Sequence, residues 1–252
     1  MKPILIQGQM DIETNYLFSV MENPAISELG NAVYYSGELD GYPCVMMNGH
    51  FGQANAAMNT ALAIQKWDPC MVINQGTSGG HADDMYVGDV VLAKKVVNFN
   101  SYRTPVRKRG EGSDSLLWET FQMDIWVDGR PLETMEFLPD TKLYSLALSM
   151  EGVHGTFKVK SGVVVSGDCW NEETDRIQFF RNRYDSVCEE MELFSVAQVC
   201  AAMHKPWVGF RVLSNSIVTN GKYTPEAGVN AQRIAVDFAR LVIAEHPDLL
   251  AD

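Results

Sequence analysis

Residues 188–216 read CEEMELFSVAQVCAAMHKPWVGFRVLSNS, a helix followed by a buried strand, and this pairing decides the class of fold. Leu193, Val196, Ala197, Cys200 and Met203 recur at the spacing of one helix face. Glu190 and Glu192 sit at the start of that helix, where the helix dipole favours a carboxylate. After Pro206, the runs Trp207-Val208-Gly209-Phe210 and Val212-Leu213 predict a strand that ends at Ser214-Asn215. An acid at a helix start and polar residues at a strand end are where an α/β protein places a site. The same features also describe an ordinary helix N-terminus followed by a turn.

The flanking sequence extends this alternation. Pro3 to Gln7 is a short apolar strand broken by Gly8, and Asp11 is placed to cap a helix carrying Leu17, Val20 and Met21. Glu13 then falls near a helix start, just past a strand end. Val33–Ser36 and Tyr42–Met47 read as strands joined at the hairpin signal Asp40-Gly41. In GHFGQANAAMNTALAIQKW, Gly49 and Gly52 precede a helix whose stripe of Ala54, Ala57, Met58, Ala61 and Ile64 suits close packing on a sheet. Cys70-Met71-Val72-Ile73 is wholly apolar, as in a sheet covered on both faces. It runs into NQGTSGGH, Asn74 to His81, a Gly-rich stretch read as a polar loop that could hold a sugar or an anion. It is no P-loop, because no Gly-Lys-Ser/Thr follows. His81, Asp83 and Asp84 lack a second His or Cys at ligand spacing, so they read as a solvated loop rather than a metal site.

Tyr86 to Asn98 reads as a long strand bent at Gly88-Asp89. From about residue 99 to 140 the periodicity fails, leaving an irregular insertion of the kind that serves as a lid or an interface. Its basic residues Arg103, Arg107, Lys108 and Arg109 read as surface. Thr141–Met150 is a short helix, and Val159–Ser166 a strand ending in Ser166-Gly167-Asp168-Cys169-Trp170-Asn171. Trp170 there could stack a flat ligand or pack in the core. Thr224 and Pro225 open a final helix with an apolar face at Ala231, Ile234, Ala235, Phe238 and Val242.

The 252 residues suit one large α/β domain. With 46% apolar and 21% charged residues the composition is that of an ordered globular protein. A net charge of −12 repels nucleic acid and anionic membrane and favours a small-molecule partner. Five scattered cysteines without a CxxC pair, and no signal peptide or spanning segment, point to the cytoplasm.

Taken in order, GQMDIE, GHFGQANAA, NQGTSGG, VGDVV, VVVSGDCW, EEMELFSVAQVC and FRVLSNS resemble the 5'-methylthioadenosine/S-adenosylhomocysteine nucleosidases of the purine nucleoside and uridine phosphorylase superfamily. The resemblance spans nearly the whole chain. Glu190-Met191-Glu192 and Ser166-Gly167-Asp168 are its more specific pieces. It implies a three-layer αβα fold around a twisted mixed sheet, a homodimer, a purine nucleoside as ligand, and no cofactor or metal. Carried over by position, Glu13 is the base that activates water. Thr77, Ser78 and Gly79 lie along sugar and base, and Ser214 borders the same site. Met191 and Glu192 hold the ribose, Trp170 replaces a base-stacking aromatic, and Phe51 sits near the 5' substituent.

One position departs from the pattern. The family has aspartic acid after the serine; this chain has Asn215. Asparagine can hydrogen-bond a purine but cannot give it a proton, and general acid catalysis is worth about 10²–10⁴-fold. Three readings stay open: Asn215 serves a 6-oxopurine, the acid was exchanged to trap a substrate, or the protein binds nucleosides as a non-catalytic, storage-type member. Phosphorylases of the superfamily hold phosphate with arginines, one just ahead of the Gly-Ser/Thr segment. Here that neighbourhood is Ile73-Asn74-Gln75-Gly76, and none lies near Gly8 either. Hydrolysis is therefore expected, with phosphorolysis as the further alternative.

Overall fold

A computed structural model describes residues 1–150 and 158–250 of the chain. Its strands are β1 (Ile4–Gly8), β2 (Glu22–Leu29), β3 (Ala32–Leu39), β4 (Tyr42–Asn48), β5 (Met71–Gly80), β6 (Val90–Asn98), β7 (Tyr102–Arg103), β8 (Glu119–Thr120), β9 (Met123–Val127), β10 (Arg130–Thr134), β11 (Glu136–Phe137), β12 (Val159–Ser166), β13 (Ser186–Glu190) and β14 (Trp207–Asn215). Its helices are α1 (Asn15–Val20), α2 (Gln53–Trp67), α3 (Thr141–Leu148), α4 (Thr174–Tyr184), α5 (Leu193–Ala202) and α6 (Glu226–Glu245). One mixed sheet runs β11-β6-β12-β13-β5-β1-β4-β3-β2, and β14 bonds to both β5 and β6. The strands β5, β14, β6, β12 and β13 therefore close into a ring.

Alternation along β1 shows why helices cover both faces. Leu5 packs in a core shared with Ala56 and Ala63 of α2 and Phe194 and Ala197 of α5. Ile4 and Ile6 point the other way, into a core with Ala231, Ala235 and Phe238 of α6. Successive side chains of a strand face opposite sides, so a strand buried on both must be apolar throughout. This is the expected αβα sandwich. The Asp40-Gly41 turn also forms, with φ of 50° and 76°, the two positive angles that a two-residue hairpin turn demands.

Several local expectations are corrected. Asn74 to Gly80 is not a loop but the greater part of β5, held extended by β14 through Gly79 and by β13 at Gly79 and Gly80. His81 is not solvated: it is buried, with Nδ1 2.8 Å from Ser186 Oγ. Asp83 and Asp84 are exposed and pair with Arg181 and with Lys158 and Lys160. The buried face of α2 is Ala56, Asn59, Thr60, Ala63 and Ile64, whereas Ala54 and Met58 are exposed. Asn59 and Thr60 are tolerated there because each is bonded, to the Gly49 carbonyl and to Gln7. The strand expected from Tyr86 begins at Val90, and Tyr86–Asp89 forms a turn whose amide at Tyr86 donates to Asp89. Residues 99–140 are not irregular throughout: they hold the hairpins β7–β8 and β9–β10, and β11. Neither Asp11 nor Thr224 caps a helix through its side chain. Glu190 closes β13 rather than opening a helix, and α5 begins at Leu193. No described helix is long and apolar enough to cross a membrane.

Candidate active site

The C-terminal ends of β1, β5, β13 and β14 surround a cavity of about 240 Å³, open on one side. Glu13, Phe51, Thr77, Ser78, Gly79, Trp170, Met191, Glu192, Ser214 and Asn215 all line it. They come from parts of the chain up to two hundred residues apart. Arg103, Arg107, Lys108 and Arg109 are exposed and take no part in it.

Glu13 lies on a 3-10 turn, Asp11–Glu13, directly after β1. A tightly packed support fixes that turn. A Cβ on Gly8 would stand 2.5 Å from Gln75 Nε2 and 2.6 Å from the Glu13 carbonyl oxygen, closer than any real contact. Gln75 Nε2 donates to that carbonyl at 2.6 Å. From α6, the fully buried Gln232 donates to the Ile12 carbonyl and accepts from the amides of Tyr16 and Leu17. The Glu13 carboxylate is 3% exposed as a residue. Oε1 accepts from the amide of Thr77 at 2.7 Å and its hydroxyl at 2.9 Å, and Oε2 from the amide of Gln9 at 3.1 Å. Within the protein itself, the Gly-rich segment spends the amide and hydroxyl of Thr77 on the Glu13 side chain.

Glu192 lies where β13 gives way to α5, and its Oε1 accepts the amide of Gly52 at 2.8 Å. Gly52 has φ of 100°, a conformation that only glycine adopts without strain. Burial, then the neighbouring Glu190 and Glu13, push the Glu192 carboxyl up to about 8; the Gly52 amide and Arg211 oppose the rise. Glu190 is differently placed. Its Oε2 accepts the amides of Glu192 and Leu193, at the start of α5, and two bonds from the fully buried Arg211. Arg211 Nη2 also donates to Asn74 at 2.6 Å. Arg211 is therefore consumed in neutralising Glu190 behind the cavity wall.

The Ser166-Gly167-Asp168 segment ties two helices to this end. Asp168 accepts the first amide of α2, at Gln53, and Ser166 Oγ bonds both Gln53 and the amide of Phe194 in α5.

At the other end Gly79 forms a floor. In the sheet it pairs with Glu189 on β13 and Asn215 on β14. Residues in register across neighbouring strands face the same side, so the two side chains flank the space over Gly79. A Cβ on Gly79 would lie 3.4 Å from Glu189 Cγ and 3.7 Å from Asn215 Nδ2. The Ser214 hydroxyl lies 3.0 Å from Asn215 Oδ1. Trp170 (58% exposed) and Tyr223 stand at the opening with ring centroids 6.1 Å apart.

Sequence reasoning missed Gln9, Met10, Cys169, Glu189, Glu190 and Tyr223 as lining residues. Glu190 was in view as a helix-start acid. Gln9 carried no signal, yet among the described residues neither polar atom of its buried amide has a partner. Glu189 could be found only by knowing which strand borders Gly79.

Four carboxylates, Glu13, Glu189, Glu190 and Glu192, line the cavity, and no Lys or Arg does among the described residues. Glu190 is neutralised by Arg211 and burial keeps Glu192 protonated below about 8, so the wall offers hydrogen-bond acceptors and no cation to hold an anion. Among the described residues no three His, Cys, Asp or Glu side chains gather as metal ligands.

The model of the phosphorylase superfamily matches residues 3–244. A 5'-methylthioadenosine/S-adenosylhomocysteine nucleosidase of Anoxybacillus flavithermus is 30% identical over 213 residues, covering 84% of each chain. That of Glaesserella parasuis is 31% identical over 211 residues, covering 83% of this chain and 84% of the other. Among solved structures, the Neisseria meningitidis nucleosidase of the same name, in complex with methylthio-immucillin-A, superposes with a TM-score of 0.77 at 25% identity. That match covers 95% of this chain and 99% of the other.

Proposed function

This chain belongs to the phosphorylase superfamily, with the 5'-methylthioadenosine/S-adenosylhomocysteine nucleosidases as relatives, and on that premise we propose that it hydrolyses the N-glycosidic bond of a purine nucleoside. The observation that carries this reading is the convergence of Glu13, Glu192 and Asn215 on one cavity. Glu13 takes a proton from water as the oxygen attacks C1'. Glu192 accepts from the ribose hydroxyls and stabilises the positive charge that develops on the sugar as C1'–N9 breaks. The Gly52 amide holds one Glu192 oxygen, which leaves the other for the sugar. Trp170 covers the base, Gly79 floors it, and Thr77, Ser78, Met191 and Ser214 complete the wall. Phe51 borders the 5' end.

Hydrolysis is favoured over phosphorolysis because no lysine or arginine lines the cavity among the described residues, which leaves a phosphate dianion without a counter-charge. Chromatography of products over a panel of purine nucleosides should show free base and free sugar at rates unchanged by added phosphate. Sugar phosphate formed only with phosphate present would mean a phosphorylase, and no base from any nucleoside would leave a binding protein.

A second expectation concerns the floor. A methyl group at Gly79 makes only ordinary contacts, so Gly79→Ala should unfold within a few degrees of wild type. It should nevertheless raise KM about tenfold or more, because the added carbon occupies the base plane; ligand titration beside a thermal melt tests both halves.

Residues 1–252 are taken to act as one domain, supported by the ten-stranded sheet that includes both β1 and β14. A homodimer is the proposed assembly, supported by Phe51 and Met58, apolar and exposed beside the cavity mouth and on the outer side of α2; sedimentation velocity tests it. All five cysteines are unpaired, which supports a cytoplasmic location.

A further inference from the structure

We propose that Glu189 and Asn215 together select a 6-oxopurine, a base carrying a proton on N1 and a carbonyl at C6, over adenine. This inference rests on the nucleosidase reading and names its substrate class. The two side chains stand on either side of Gly79, in register with it, and face the same space. Their hydrogen-bonding characters are opposite. The Asn215 amide, with Oδ1 beside the Ser214 hydroxyl, offers its Nδ2 donors over Gly79. Glu189 offers carboxylate acceptors.

Glu189 is fixed in place. Its Oε1 accepts the amide of Asn171 at 2.8 Å, and its Oε2 accepts the Asn171 side-chain Nδ2 at 2.5 Å. The buried His81 brings Nε2 to 3.2 Å from Oε2, and its other nitrogen rests on Ser186. A carboxylate has about four lone pairs, so these contacts leave it able to accept from a ligand. The residue is 5% exposed and lines the cavity. With three of its acceptor positions taken, the carboxylate keeps one for a donor on the ligand.

A 6-oxopurine matches this pair along one edge. N7 and O6 are acceptors for Asn215 Nδ2, and N1–H is a donor for Glu189. Adenine places an NH₂ donor beside the asparagine donors, or a bare N1 acceptor against the carboxylate. A polar group left facing its like is what makes a hydrogen-bonding site reject an analogue. The pairing also answers the loss of a proton donor at residue 215. When water adds to C1' and the C1'–N9 bond breaks, the bonding electrons leave with the base. In a 6-oxopurine that charge spreads onto O6 and N7, where the asparagine NH₂ stabilises it by hydrogen bonding. Glu13 holds the proton from water, and the base takes its own proton from solvent on release.

The test compares inosine with adenosine, and 5'-methylthioinosine with 5'-methylthioadenosine, by kcat/KM. Wild type should prefer the 6-oxopurine member of each pair by about 10²-fold or more. It should also reject 1-methylinosine, which lacks the N1 proton; this arm needs no mutant. In Glu189→Gln the preference ratio should fall by about 10- to 100-fold, because glutamine can donate to the adenine N1. A merely structural role would lower both substrates in proportion and leave the ratio unchanged. Calorimetric binding of hypoxanthine and adenine to wild type and Glu189→Gln reads the same preference without turnover, so absence of hydrolysis would defeat the nucleosidase reading alone. Adenine-type ligands preferred by wild type, 1-methylinosine accepted as well as inosine, or an unmoved ratio in Glu189→Gln would each overturn the assignment.

Discussion

Glu192→Gln is expected to lower kcat/KM for base release by about 10²–10³-fold, or roughly 3–4 kcal/mol of transition-state stabilisation. The amide keeps the shape and still accepts from Gly52, but it cannot oppose the charge developing on the sugar. The pH profile carries a second signature. With the carboxyl near 8 in the free protein, only the ionised fraction is productive, so wild-type kcat/KM should climb with pH and level off above about 8. The variant should lack that limb. Stability should move the opposite way. The ordinary value is 4.5 and the folded value is higher, so the fold prefers the protonated form. That contribution is fully present below about 4.5 and is lost as pH rises through about 8. The melting temperature of Glu192→Gln relative to wild type should therefore rise between pH 5 and pH 9. A flat difference would remove the assigned titration.

Glu13→Gln should cost about 10²–10⁴-fold in kcat while leaving ligand affinity within a few-fold. The residue's two carboxylate oxygens bond Thr77 and Gln9. A glutamine can repeat the accepting bonds at Oε1 but not at the other atom, where its NH₂ would face the Gln9 amide. Some loss of stability, about 1–3 kcal/mol, is thus expected alongside the kinetic loss. Stopped-flow turnover and equilibrium titration on the same sample separate the two. Retained turnover with a normal melt would remove Glu13 from the role of base.

Much of this architecture was legible because the motifs carry their own physics. The wholly apolar β5 start and the α5–β14 pair announce a sheet covered on both faces, and Asp40-Gly41 announces its hairpin. What stayed hidden depends on partners distant in sequence. Gly76 to Gly80 is poor strand material by propensity, and its extended form is imposed by β13 and β14. The face of α2 was misjudged because alanine gives little periodic contrast. Its buried Asn59 and Thr60 are acceptable only through bonds to Gly49 and Gln7. Glu189 looked like one more acid in a row of three. Its neighbours Glu190 and Glu192 face a neutralising Arg211 and the Gly52 amide, and only the register of β13 against Gly79 separates its part from theirs.

The five-strand closure has a bearing on how such a protein can change. In an open sheet an outer strand can slide by a residue and carry its side chains to the opposite surface. Where each member is gripped on two sides, sliding one would demand that all five move in concert. The peripheral hairpins between residues 102 and 134 lie outside that belt. Their exposed turns can lengthen or shorten while Glu189, Gly79 and Asn215 keep their spacing, but Ile125 of β9 is buried in the core shared with α5 and must stay apolar.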